Sequence, residues 1–127
     1  MEELKSIIAE NLATLKTQTE EKEYRLRDDN RDDEALIEKI KANIVDVFLS
    51  VLNVSYQQSR QADGDEKDLI EKFNKFFEVI PENWIESKKQ AEERGDFEII
   101  YKEDAKIAMA KLIHKVFLST VEEYNVR

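Results

Sequence analysis

Apolar residues recur at helical spacing through most of the chain, and the clearest run lies between residues 37 and 54. Its members follow one another at intervals of three and four residues: Ile37, Ile40, Ile44, Val47, Val51 and Val54. In an α-helix this spacing brings side chains onto one face. Only two glycines and one proline interrupt the chain. The pattern predicts an all-α protein with this stripe along one face of a helix.

The same periodicity predicts four long helices in one domain of residues 1–127. We expect the first from about Glu2 into the twenties and the second from near Asp33 to about Arg60. Pro81 ends or kinks the third helix, because proline cannot donate the helical hydrogen bond. An antiparallel bundle of four helices is therefore expected, or of five if a new helix starts at Pro81. The last helix is predicted from about Glu103 to Tyr124, with its buried side chains at Ile107, Leu112, Val116, Phe117 and Val121.

Several residues indicate where these helices begin and end. Asp33 and Asp65 are each placed to cap the free amides of a following helix. Gly64 lies in the turn QADGDE and is free to adopt a positive φ, and Gly95 is expected to stop a helix. The segment 97–101, FEIIY, alternates in two registers, so its conformation stays open at this stage.

The segment from Lys16 to Asp33 contains little that a core would bury. Its sizeable apolar side chains are Tyr24 and Leu26, and acidic residues crowd the rest. Two interpretations fit this composition. The segment is an exposed helix end that runs into a loop, or it is an arm that becomes ordered only on a partner.

The second helix has apolar side chains over more than half of its circumference, which places it centrally or gives it a role in an oligomer interface. The remaining arc carries a polar line at intervals of three and four: Asn43, Asp46, Ser50, Asn53 and Gln57. This line is either a narrow solvent-facing strip or a binding surface for another chain or ligand. Charged residues are depleted at the centres of interfaces, so short neutral side chains favour the binding hypothesis in so charged a protein.

Charge and composition narrow the classes of partner and site. Charged residues make up 39% of the chain and the net charge is −9, which disfavours nucleic acid and anionic membranes as partners. The chain has no cysteine, which excludes disulfides and thiolate metal sites and fits a reducing compartment. The beginning of the chain lacks a secretory pattern, and no apolar run has the ~20 residues of a membrane span. We expect a cytoplasmic protein.

The motifs of common catalytic sites are missing from the sequence. His114 is the only histidine, whereas a di-iron bundle and a histidine-rich zinc site each need more than one. We expect it to be structural. Asp28, Asn30 and Asp32 alternate like the first ligands of an EF-hand loop, but the positions that require glycine and the closing glutamate are Asp33 and Lys39. No glycine-rich phosphate loop is present.

One family resemblance concerns the second helix. The stretch from Asn43 to Val54, preceded by Glu20, Glu21 and Glu23, resembles the helices of MazG-type nucleoside triphosphate pyrophosphohydrolases. That family is all-α and holds magnesium between a glutamate cluster and an E-x-x-D motif. The resemblance implies Glu20, Glu23 and Asp46 as magnesium ligands. The chain departs from the family pattern at Asn43 and Tyr24, where the motifs have glutamates.

These observations give one leading hypothesis and two alternatives. The leading hypothesis is a small acidic helical bundle that binds a protein partner or a second copy of itself as a homo-oligomer, in a regulatory, inhibitor or immunity-like role. It assigns no catalytic residue, cofactor or metal. The first alternative is a degenerate magnesium-dependent pyrophosphohydrolase. The second is a bundle that encloses an apolar ligand between Trp84 and the aromatic residues Phe73, Phe76 and Phe77.

Overall fold

The computed structural model describes residues 1–126, and these form five α-helices without any β-strand. The helices are α1 (Glu2–Asp28), α2 (Asp32–Gln61), α3 (Glu66–Val79), α4 (Glu82–Arg94) and α5 (Phe97–Val126). α3 and α4 are two pieces of one helical limb that is broken at Pro81. The all-α bundle of four helices with a break at Pro81 is therefore confirmed.

The helices run alternately up and down. α1 packs along α2, and both helices contact α5, while α3 lies against α2 and α5 and α4 lies against α5. Two contacts give the relative directions. Asn11 Nδ2 donates to Thr120 Oγ1 at 2.8 Å, so the start of α1 lies beside the end of α5. Lys88 Nζ and Asp104 Oδ1 are 2.7 Å apart, so α4 runs antiparallel to the first half of α5.

The core occupies the half of the bundle that contains the start of α1 and the end of α5. Its centre is a group of four phenylalanines from three helices. Phe48 stacks on Phe77 with ring centroids 4.5 Å apart, and Phe73 meets Phe77 and Phe117 edge to face. Offset and edge-to-face contacts of this kind add to the stabilisation from burial. These rings fix α3 against α2 and α5.

The face that α2 turns to this core differs from the predicted Ile37 stripe. Ile37 and Ile44 are buried, but Val47 and Val54 are exposed. The buried line is centred on other side chains: Val45, Phe48, Leu52, Ser55, Tyr56 and Ser59. α2 carries apolar residues on two sides. Spacing alone therefore did not show which of the two sides would pack against the aromatic residues of the core.

The opposite half of the bundle is more polar inside. Glu38 is buried on α2, where its Oε1 lies 3.0 Å from Lys22 Nζ and 3.5 Å from Lys41 Nζ. Glu103 is buried on α5 and bonds Lys106 Nζ at 2.8 Å. Among residues 1–126, every buried polar side-chain atom has a hydrogen-bond partner. The buried polar side chains at this end of the bundle therefore have their hydrogen-bond partners within the protein.

α1 and α2 have nearly the predicted bounds, but the predicted cap of α2 and the predicted start of the last helix were wrong. α2 begins at Asp32, and its N-terminus has no side-chain cap, so Asp33 is not the capping residue. α1 continues as a regular helix to Asp28, so residues 16–28 are a helix end beside α2. The open segment 97–101 is helical, because Gly95 ends α4 with φ 70° and Asp96 Oδ1 accepts a bond from the amide of Ile99. α5 therefore begins six residues before the predicted start.

The turn between α2 and α3 also differs from expectation. The positive φ belongs to Asp63, at 53°, and not to Gly64. Gly64 is needed for space, since a Cβ there would lie 2.2 Å from Asp68 Oδ2. Asp65 caps α3 as predicted and accepts from the amide of Asp68 at 3.0 Å. The Asp68 carboxylate in turn accepts hydrogen bonds from Ser59 and from Lys72, and so ties α3 to the end of α2.

One predicted core position on the last helix is at the surface. Leu112 is 43% exposed on α5, whereas its neighbour Ile113 and the predicted Phe117 are fully buried. Ile107, Val116 and Val121 are half-buried. Apolar residues are so frequent along α5 that they occur on all sides of the helix. Only one of these sides packs against the core, and the spacing of apolar residues does not show which one.

A candidate interface on the outer side of α2

The five polar residues singled out in the sequence lie on the side of α2 away from the core. All five are exposed: Asn43, Asp46, Ser50, Asn53 and Gln57. The structure therefore places them together along one helix surface, and no partner is present to test their assignment as binding residues. None of them lines an internal cavity.

Exposed apolar residues run beside this polar line. Advancing ~100° per residue puts six side chains in one row, roughly opposite the core face. We call this row the outer strip: Leu36, Ile40, Asn43, Val47, Ser50 and Val54. Leu36 is 40% exposed, Val47 38% and Val54 45%, and Ile40 is half-buried. The outer strip is thus a mixed surface of branched aliphatic and short neutral polar side chains.

Charge is nearly absent from this part of the helix. Asp46 is the only charged residue between Ala42 and Ser59, in a chain of which 39% is charged. It lies at the edge of the outer strip, where its Oδ1 is 2.8 Å from Lys16 Nζ on α1. The hydrogen bond to Asp46 and its negative charge raise the pKa of Lys16 above the ordinary lysine value. The single charge between Ala42 and Ser59 is therefore already paired within the chain, whereas Lys39 is exposed beside the first turn of the outer strip.

This composition is typical of the centre of a protein interface. Charged residues are costly to desolvate there, whereas valine, leucine and short amides can be covered with little penalty. Scattered apolar residues on a surface need no explanation, but a contiguous row of them on an otherwise charged protein does. The outer strip is the part of α2 best suited to cover by another chain.

A second apolar surface adjoins the outer strip at the start of α2. A groove of about 630 Å³ separates α2 from the start of α5, and Leu36, Phe97 and Tyr101 contribute its apolar walls. Phe97 is 79% exposed. Asp33 and Glu98 lie at its rim, and Glu98 is bonded to Lys102 at 3.0 Å. Leu36 belongs to both surfaces, so the groove extends the apolar area beyond α2.

The residues implied by the pyrophosphohydrolase resemblance do not form a metal centre. Among residues 1–126, no three histidine, aspartate or glutamate side chains are grouped in a way that could hold an ion. Glu20 is exposed, Glu23 bonds Arg27 at 3.0 Å and Asp46 bonds Lys16. Magnesium in such sites relies on several converging oxygen ligands. That alternative stays a prediction that no contact in the structure favours.

The apolar-ligand alternative concerns an aromatic cluster whose rings pack against one another. Phe73 is fully buried against Phe77 and Phe117, so the rings fill the volume between their helices. The cavity beside Phe77 and Pro81 measures about 140 Å³. His114 is half-buried, stacks on Phe77 at 4.5 Å and lies 2.7 Å from Asn74 Oδ1 through Nε2. These contacts are those of a structural histidine.

The apolar part of the outer strip was missed at the sequence level, although its signal is present. Leu36, Ile40, Asn43, Val47, Ser50 and Val54 repeat at intervals of four and three, as residues along a helix-packing seam do. Ile40, Val47 and Val54 were instead grouped with Ile37 and Ile44 in one apolar stripe. The polar members Asn43 and Ser50 were recognised, but they were treated as a separate line.

Comparison with known proteins adds no further assignment. No protein family matches this chain, and no curated protein or solved structure shows significant similarity to it. Within residues 1–126, no helix is both long enough and apolar enough to cross a membrane. The functional argument therefore depends on the surface itself.

Proposed function

We propose that this chain is a non-catalytic binding protein whose outer strip on α2 is covered by another protein chain. The observation that carries the proposal is the combination of exposed Val47 and Val54 with an almost uncharged helix surface in a protein of net charge −9. The proposal includes the regulatory or inhibitor-like role and the cytoplasmic location expected from the sequence.

The rest of the molecule supports a binding role over a catalytic one. Two of the three acidic side chains that were candidates for metal binding, Asp46 and Glu23, are engaged with lysine and arginine. The polar groups inside the bundle are satisfied by one another, so none of them is held ready for a substrate. A rigid four-helix scaffold that presents one helix face is a common way to recognise another helix or a flat surface.

The proposal is tested by the size of the particle that contains the chain in extracts of the cells that produce it. Val47→Lys introduces a charge at the centre of the outer strip, and Leu118→Lys is the matched control. Leu118 is an apolar residue on α5 that is 47% exposed, close to the 38% of Val47. Both substitutions leave the core intact, which thermal unfolding followed by circular dichroism will verify.

We expect the wild-type chain and the Leu118→Lys variant to elute on gel filtration in a particle larger than the 15.0 kDa monomer. We expect the Val47→Lys variant to elute as the monomer, because a lysine ammonium is costly to bury in an uncharged contact. Elution of the wild-type chain as a monomer would contradict the proposal. An unchanged particle size in the Val47→Lys variant would also contradict it.

A further inference from the structure

Resting on the proposed function, we infer that the partner of the outer strip is a second copy of this chain, bound antiparallel about a two-fold axis close to Val47. The argument has three parts: the chemistry that the outer strip can recognise, the symmetry of its sequence and the charge of the surrounding surface.

The chemistry of the outer strip disfavours a basic or an acidic partner. A basic segment would need unpaired carboxylates, but the one nearby carboxylate, on Asp46, is bonded to Lys16. An acidic segment would need several cations along the outer strip, but Lys39 lies only at its beginning, and Asp46 is the only charged residue between Ala42 and Ser59. The outer strip therefore matches a partner surface that is uncharged and partly apolar. The outer strip of a second copy has these same properties.

The order of residues along the outer strip is self-complementary when one copy is reversed. With Val47 opposite Val47, the antiparallel arrangement puts Ile40 opposite Val54 and Asn43 opposite Ser50. Each of these layers pairs apolar with apolar or polar with polar side chains, whereas Leu36, the sixth member of the outer strip, falls opposite Gln58 and lies outside the self-complementary part. The alternating intervals of four and three are those by which two helices remain in contact over several turns. A two-fold interface requires such self-complementarity, because both copies use the same surface.

The charge of the molecule selects this surface for self-association. Two copies with a net charge of −9 repel each other, and the repulsion is strongest where their acidic surfaces approach. The outer strip keeps like charges out of the contact. At its edge, Lys16 neutralises Asp46 in each copy. Contact through this part of α2 therefore brings few like charges together.

Cysteine cross-linking of the purified chain tests both the partner and its direction. The wild-type sequence has no cysteine, so one substitution introduces a single reactive thiol per chain. A disulfide needs Cβ atoms about 4 Å apart, so only residues that face each other are joined efficiently. Val47→Cys faces its own copy in the inferred dimer, whereas Leu118→Cys on α5 is the control.

Under mild oxidation we expect Val47→Cys to form a covalent dimer at least tenfold faster than Leu118→Cys. An equal mixture of Asn43→Cys and Ser50→Cys should cross-link faster than either variant alone, because the antiparallel arrangement pairs these two positions. Light scattering should give twice the 15.0 kDa chain mass for the wild type before oxidation.

Different outcomes separate the inference from the proposed function. Equal cross-linking of Val47→Cys and Leu118→Cys, with a monomeric wild type, would overturn the dimer. If the gel-filtration particle in cells still depended on Val47, the binding function would stand with a different partner. Faster cross-linking of Asn43→Cys and Ser50→Cys alone than in their mixture would overturn the antiparallel arrangement.

Discussion

At the scale of single residues, Asp68 shows how one carboxylate joins two helices. Hydrogen bonds from Lys72 and Ser59 favour its charged form, and they hold its pKa below the ordinary aspartate value. A group whose pKa is lowered by folding stabilises the native state above its unfolded pKa and loses that contribution as the pH falls. The contact between the end of α2 and the start of α3 is therefore sensitive to acid.

We predict that Asp68→Asn removes part of the acid sensitivity of folding. At neutral pH the variant should be less stable than the wild type, because the charged hydrogen bonds to Ser59 and Lys72 are lost. The difference should shrink as the pH falls from the ordinary aspartate pKa through the lower pKa of the native carboxylate, because the unfolded chain binds the proton first. Urea unfolding at several pH values measures this. A constant difference across the range would contradict the assigned role, and Asp104→Asn on α5 is a control outside this contact.

A second prediction at the scale of residues concerns the face of α5 that packs against the core. Ile113 is fully buried, whereas Leu112, which the sequence pattern assigned to the core, is 43% exposed. Ile113→Ala should therefore lower the free energy of unfolding by ~2–5 kcal/mol, through lost burial and the cavity left behind. Leu112→Ala should cost less than ~1 kcal/mol, as surface changes usually do. Urea unfolding of the pair measures both values, and equal losses would mean that α5 faces the core differently.

At the scale of elements, the sequence predicted the helices better than the faces they bury. The Pro81 break and the Gly95 helix end follow from local backbone chemistry, so each could be assigned from the residue itself. The side of α2 that is buried is the side whose residues contact Phe73, Phe77 and Phe117 on the other helices. Such contacts are set by tertiary packing, and local spacing does not encode them when a helix is apolar on two sides.

The candidate site, like the helix faces, could be predicted from the sequence only in part. Exposure of Asn43 and Ser50 follows from their polarity, so the polar line could be located on α2. Exposure of Val47 and Val54 follows only after Phe48 and Leu52 are known to face inward. The apolar half of the outer strip therefore required the structure.

The turn between α2 and α3 gives a prediction at the element scale. Gly64→Ala should destabilise the fold by ~1–3 kcal/mol, since the new Cβ would meet the Asp68 carboxylate at 2.2 Å. Asp68→Ala removes the two nearest atoms, the carboxylate oxygen and carbon, and leaves only its Cβ at 3.0 Å, so the glycine substitution should cost less in that background. A double-mutant cycle of unfolding free energies measures the coupling. An equal cost in both backgrounds would mean that the strain lies elsewhere in the turn.

At the scale of the whole molecule, charge and binding surface are separated in space. The net charge of −9 is spread over helices that remain solvated, while the outer strip carries none of it. An interface of uncharged side chains should respond to salt in the opposite way to one built from ion pairs. Added salt screens the repulsion between the two acidic copies and leaves the contact itself intact.

We therefore predict that self-association becomes tighter as sodium chloride is raised from about 50 to 500 mM, within the range over which the screening length falls below ~5 Å. Sedimentation equilibrium over a dilution series measures the dissociation constant at each salt concentration. A weaker dimer at high salt would indicate that ion pairs hold the copies together, which would contradict an interface centred on Val47.

The account depends most on the claim that another chain covers the outer strip, and direct contact is the sharpest test of it. A photo-crosslinking amino acid at Ser50, irradiated in the cells that produce the protein, probes the centre of the strip. The same group at Glu93, exposed on α4, is the control. We predict a discrete covalent protein adduct from Ser50 and none from Glu93. Absence of an adduct at Ser50, or equal labelling at both positions, would contradict the account.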